Sequence, residues 1–519
     1  MATRRTIPGN AKGEPRRRTS GGILCWLVLG LFCTLGATPP ANGAELEEGQ
    51  KLYWVGKYDE CAKMAGETLT ESPWNLEWWR LKIEAEMVRG KYEEALKTMK
   101  GALDRYPSRI SMQVLAGEVY RKSGREAEAA ATLEALEKAV LRDPPRGLAP
   151  EERIALGRFL LLRGVDARKV LEQFYTPTTK EHKDFIDGYF ATAELALQKH
   201  DQALAAQTLY RAPKEAAENP RYHYLLARSF AGGDRAETIK ALTEALRLNP
   251  RHIESLLLRA DLLIDAEDYD EAKKLLDQVR EVDPLEPRAW AYQAVLDHLG
   301  GDFKAEEAAR QKALSRWKSN PEVDYLIGRK LSQDYRFAEG AAAQRKALAF
   351  DKNYLPAKIQ LSQDLLRLGQ EKEGWKLATD IFAEDGYNVV AYNLMALRDN
   401  LSHFRILKGE GFLVRMDAKE AELYGARAVE ILERARKTLC KKYGVDLDFD
   451  VIVEIFPRKQ DFAVRTFGLP GADGFLGVCF GRVITAISPA PQGEDPSNWE
   501  AVLWHEFCHT VTLTKSRNR

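Results

Sequence analysis

Cysteine is scarce in this sequence, six in 519 residues, which excludes a disulfide scaffold. Charge of one sign is absent as well: Lys+Arg and Asp+Glu both number 77, and the formal net charge is zero. That balance leaves no basic footprint for nucleic acid, and basic residues do not alternate with aromatic ones as a nucleic-acid platform requires. No phosphate-cradling glycine loop with a following Lys-Ser/Thr occurs, and no G-x-S-x-G elbow for a serine nucleophile. The apolar run Ile23–Ala37 has fifteen residues, short of the ~20 that a membrane span needs, and a polytopic membrane protein is excluded. What remains is 45 % apolar and 30 % charged. That is enough for a buried core, over a length that implies two to four domains.

The amino terminus reads as an address. Arg4, Arg5 and Arg16-Arg17-Arg18 precede the apolar run, and the small residues Ala41-Asn42-Gly43-Ala44 follow it. A basic region, an apolar region and a small-residue cleavage site make a secretory signal over residues 1–44. The expected location is therefore periplasmic or extracellular, with membrane anchoring if the signal stays uncleaved. The mature chain then keeps Cys61, Cys440, Cys479 and Cys508.

A period of thirty-four organises most of the chain. Gly56-Lys57-Tyr58 recurs as Gly90-Lys91-Tyr92, thirty-four residues on. The series continues through Gly124, Gly164, Gln198, Gly233, Glu267, Gly301, Tyr335 and Gly369, so seven of ten positions are glycine. Glycine suits the positive φ of a tight turn between helices. Five residues on stand mostly small side chains (Cys61, Ala95, Ala129, Ala203, Thr238, Ala272, Gly340, Gly374), where two helices approach closely; Lys169 and Glu306 break that rule. Pro73, Pro107, Pro250 and Pro284 stand where a second helix must end. This pattern resembles the tetratricopeptide repeat, a pair of antiparallel helices stacked into a superhelix. The resemblance spans residues 45–385, about ten repeats, and implies an α-solenoid that offers a concave face to peptides or partner proteins.

Beyond residue 385 the rhythm ends. Residues 386–402 read as a linker, and 403–519 as a mixed α+β domain. A hairpin is expected in His403–Met416, an amphipathic helix over Ala418–Tyr443 and a buried strand over Phe449–Phe456. One or two glycine-rich strands are expected in Gly474–Ser488, and a helix over Asn498–Thr514 after the helix-start residues Asp495-Pro496-Ser497-Asn498.

That last helix carries His505-Glu506-Phe507-Cys508-His509. Residues i and i+4 share a helical face, so both imidazoles can bind one Zn²⁺, while Glu506 can reach a water on the metal and take its proton. The motif behind an export signal resembles the thermolysin-like gluzincin clan of zinc metallopeptidases, some bacterial members of which also place repeats first and the peptidase last. The resemblance implies His505 and His509 as metal ligands, Glu506 as general base, and an edge strand that lines the cleft, here within Gly474–Thr485. Such a site needs a third protein ligand. In that clan it is a Glu on a following helix, and the ten residues after His509 contain no Glu, Asp, His or Cys. The domain is accordingly expected to be the N-terminal part of a longer peptidase. His403 is a minor candidate for a third nitrogen, and Cys508 either approaches a metal, faces the core or pairs with Cys479. The sequence thus implies an exported zinc peptidase whose solenoid recruits a protein or peptide substrate or a protein partner. The alternative is a non-catalytic protein-binding scaffold with a degenerate or truncated peptidase domain.

Overall fold

The computed structural model describes residues 42–471, 474–492 and 498–516. The signal region up to residue 41 and most of the Asp495–Asn498 helix start lie outside the described residues. The chain divides into Met1–Glu45 and Leu46–Arg519; of the first unit only the opening of the first helix is described. No described helix is long and apolar enough to cross a membrane.

Ten helical hairpins follow one another. The first three are α1 (Asn42–Trp54) with α2 (Tyr58–Glu71), α3 (Leu76–Val88) with α4 (Tyr92–Arg105), and α5 (Ile110–Lys122) with α6 (Glu126–Arg142). In the fourth, α7 (Pro150–Leu162) faces a broken second helix made of α8 (Ala167–Val170), a π turn over Leu171–Tyr175, and α9 (Thr176–Glu181). Regular pairs resume with α10 (Ile186–Gln198) and α11 (Gln202–Tyr210), then α12 (Pro220–Phe230) and α13 (Arg235–Leu248). The last four are α14 (Ile253–Asp265) with α15 (Tyr269–Val282), α16 (Pro287–Leu299) with α17 (Phe303–Ala313), α18 (Pro321–Gln333) with α19 (Phe337–Phe350), and α20 (Leu355–Arg367) with α21 (Glu371–Glu384).

Every hairpin turns on one residue at positive φ: Gly56, Gly90, Gly124, Gly164, His200, Gly232, Glu267, Gly301, Tyr335 and Gly369. The fifth turn is thus His200, two residues past the expected Gln198, because the broken second helix of the fourth repeat lengthens the count. The small-residue position shifts with it: Ala203 is exposed and Ala205 fully buried. Of the two exceptions, Glu306 bonds the His298 ring at 2.9 Å, and Lys169 is exposed on the broken helix.

The array curls until its turns touch. Asn249 Nδ2 donates to the Tyr58 hydroxyl at 2.9 Å and Arg251 to the Gly56 carbonyl at 3.0 Å. One repeat on, the Tyr92 hydroxyl donates to Asp283 at 2.8 Å. A further repeat on, Ser319 donates to Glu126 at 2.6 Å, and Lys199 pairs with Asp385 at 2.6 Å near the array's end. Each of these early turns therefore docks on the loop that closes a repeat five positions later. First helices of different hairpins meet through partly exposed charges, where Asp187 on α10 lies 4.0 Å from Arg80 on α3 and 3.7 Å from Arg221 on α12.

Residues 386–402, expected as a linker, hold α22 (Val389–Leu401), whose Val390, Ala391, Leu394 and Leu397 are buried. An unpaired repeat helix must hide that face, and the C-terminal unit covers it. That unit contains β1 (Phe404–Gly409), β2 (Phe412–Asp417), α23 (Ala418–Tyr443), β3 (Val451–Phe456) and α24 (Lys459–Phe467). It is completed by β4 (Gly477–Cys479), β5 (Val483–Ile487) and α25 (Trp499–Ser516). The sheet order is β1-β2-β3-β5-β4. Strands β2, β3 and β5 are mutually parallel, and β1 and β4 are antiparallel edges. All six residues of β3 are buried, as a central strand demands. Its alternate residues face opposite ways: Val451, Val453 and Ile455 pack with α23 and α25, Ile452 and Phe456 with α22, α24 and the last repeats. Buried ion pairs reinforce the seam, Arg465 to Glu454 at 2.6 Å and Arg415 to Glu454 at 3.2 Å.

Candidate functional site

Helix α25 begins where the Asn498 side chain accepts the Ala501 N–H at 3.0 Å. Leu503, Phe507 and Val511 bury one stripe against the sheet, Phe507 meeting Phe412 with ring centroids 5.2 Å apart. His505 and His509 stand on the exposed stripe. Their Nε2 atoms lie 3.0 Å apart and their rings are perpendicular. Two nitrogens that close can share one ion at the usual Zn–N length of about 2.0–2.1 Å. Burial, then the His505 charge, lowers the His509 pKa, and that favours the neutral, metal-binding form.

Glu506 occupies the wall between these stripes, 7 % exposed. Among the described residues no donor meets its carboxylate, and burial raises its pKa against the opposing pull of His505. Its room comes from Gly477 on β4: a Cβ there would stand 2.7 Å from Glu506 Cγ and 2.9 Å from Oε1. One turn on, the Thr510 hydroxyl donates to the Gly481 carbonyl at 2.8 Å and contacts Cys479 Sγ at 3.3 Å, pinning α25 to the edge strand. Between β4 and α25 lies an open hollow of about 470 Å³, lined by Phe475, Gly477, Val502, His505 and Glu506 among others. The edge strand within the expected Gly474–Thr485 segment is β4, and it borders the motif.

The other candidates fall elsewhere. Among the described residues no third His, Cys, Asp or Glu joins the histidine pair. His403 precedes β1, the far edge of the sheet, four strand spacings of about 4.8 Å from β4. Cys508 and Cys479 are both free. Cys508 turns toward Tyr443 on α23 at 4.0 Å, whereas Cys479 meets Thr510, on a different side of the same helix, so the disulfide does not form.

Tetratricopeptide family models match residues 80–144 and 229–296, two stretches of the hairpin array. The chain carries tetratricopeptide repeats. A TPR repeat-containing protein, YpiA of Bacillus subtilis (strain 168), is 27 % identical over 152 residues, 29 % of this chain and 30 % of that protein. The match thus spans less than a third of the curated relative's length. Among solved structures, the yeast Tom70 crystal structure is similar at 14 % identity and a TM-score of 0.34, over 78 % of this chain and 99 % of that one. The APC/C hetero-tetramer Cut9-Hcn1 is similar at 11 % identity and a TM-score of 0.36, over 68 % and 77 %. The array is a helical solenoid of TPR-like repeats, followed by a small C-terminal sheet unit.

Proposed function

We propose that the protein is an exported scaffold that holds protein partners through its TPR array. The observation that carries this reading is the run of ten hairpins, two stretches of which match the repeat family; the leader-like residues 1–44 support export. Crosslinking of the full chain in its native setting tests it. Crosslinks to partner proteins should come from exposed solenoid lysines such as Lys240 and Lys273. Crosslinks confined to residues 403–519, or none, contradict it.

A second reading, zinc-dependent peptide hydrolysis on the C-terminal unit, is favoured by the unpartnered Glu506 beside the histidine pair. His505 and His509 would bind the ion through Nε2, with a third ligand from outside the described residues. Bound Zn²⁺ supplies Lewis acidity toward water and the scissile carbonyl. Glu506 can accept a proton at Oε1 and hold it out of bulk water, and β4 can align an extended peptide along the hollow. Glu506→Gln should leave zinc binding intact and lower hydrolysis at least about 100-fold; a variant that still cleaves at the parent rate removes this mechanism.

A further inference from the structure

Both ends of the β4 edge carry exposed aromatic side chains that neither the fold nor the histidine motif uses. At one end Phe475 lines the hollow, 52 % exposed, and packs on the 40 %-exposed Phe467 with centroids 5.3 Å apart. At the other end stands Tyr335, a residue of the TPR array. It holds the turn position that glycine fills in seven of ten repeats, at φ +61°. A non-glycine residue is strained in that left-handed conformation, as His200 and Glu267 are at their own turns. Its ring stacks on Phe480, the residue after β4, at 6.4 Å, yet 42 % of it stays exposed and its hydroxyl has no hydrogen-bond partner among the described residues.

Between these ends the backbone offers a pairing edge. Phe480 donates to the Val483 carbonyl at 2.8 Å, and Ile487 to the Leu476 carbonyl at 2.9 Å. With Val478 opposite Thr485 in the register, residues 476, 478 and 480 bond to β5. The alternation leaves the N–H and C=O groups of Gly477 and Cys479 pointing to the open edge. An extended peptide is the occupant whose own backbone satisfies them.

We propose that Tyr335 and Phe475 select peptides that carry a bulky apolar side chain at each end of the short stretch paired with β4. The solenoid then contributes directly to specificity at the β4 edge. The inference rests on the reading of this hollow as a peptide site, and binding is separable from cleavage. The test uses the full chain with Glu506→Gln and fluorescence anisotropy with labelled peptides of about eight residues. One peptide carries Phe or Leu at two positions about four residues apart, the reach of a strand along this edge, and the other carries Ser at both. The apolar peptide should bind about tenfold more tightly. Tyr335→Gly should weaken it by about fivefold or more, the loss of one aromatic contact. Its Tm should change little, since relief of the turn strain offsets part of the lost contact with Phe480. Phe475→Ser should weaken it comparably. Equal binding of the two peptides, no binding of either, or unaltered binding by Tyr335→Gly overturns the proposal. Tight, selective binding without cleavage by the unmodified chain sinks hydrolysis alone.

Discussion

Asp364 is fully buried, accepting from Ser332 at 2.8 Å and Gln360 at 2.8 Å, with Arg367 at 3.7 Å. Burial, opposed by Arg367 and these hydrogen bonds, pushes its pKa up to about 7. The folded state therefore keeps a proton that the unfolded chain releases near pH 4. Protons bound in the native state exceed those in the unfolded state between the two values, so stability falls as pH rises across that window. Thermal unfolding at pH 5 and pH 8 should show a loss on the order of 2 kcal/mol that Asp364→Asn abolishes. Identical pH dependence in the variant would contradict this. At the same scale, the closeness of His505 and His509 was legible because residues four apart share a helical face. Tyr335 and Phe475 were not, because their importance lies in what a distant turn and a strand end bring together. The one trace in the sequence was a tyrosine at a glycine position.

At the scale of elements, the hairpins were legible because thirty-four residues per unit fix the turn, the close approach and the stop. Where a helix breaks the count, as in α8, the π turn and α9, the alignment slipped and Gln198 took the place of His200. The helix α22 was missed for a related reason: it has the pattern of a first repeat helix but no partner following at the period. What no local pattern encodes is contact between superhelical turns. Gly124 and Gly164 both sit at positive φ, +73° and +80°. A Cβ at Gly124 would collide with the Arg316 carbonyl oxygen, while one at Gly164 meets nothing within 4 Å. Gly164→Ala should cost only the conformational strain, about 1 kcal/mol. Gly124→Ala should cost roughly 1–3 kcal/mol more. Equal melting temperatures for the two variants would mean that the turns do not pack as described.

For the whole molecule, closure of the array changes what a TPR solenoid offers. Turns five repeats apart dock on one another, and the first helices of different hairpins meet through paired charges such as Arg80, Asp187 and Arg221. Half-exposed pairs of this kind contribute little stability each, but they make those helix faces polar, unlike an apolar peptide groove. The C-terminal unit shares a core with the last repeats, from Phe337 and Leu366 to Phe462 and Val483. The hollow beside α25 is thus held against the solenoid, and Tyr335 stacks on Phe480 at the end of β4. The second reading proposed above has the most consequence: that His505 and His509 hold one metal ion there. Zinc content of the full chain purified from its native source, beside His505→Ala, tests it directly. One zinc per chain, lost in the variant, is the predicted result; equal zinc in both would contradict it.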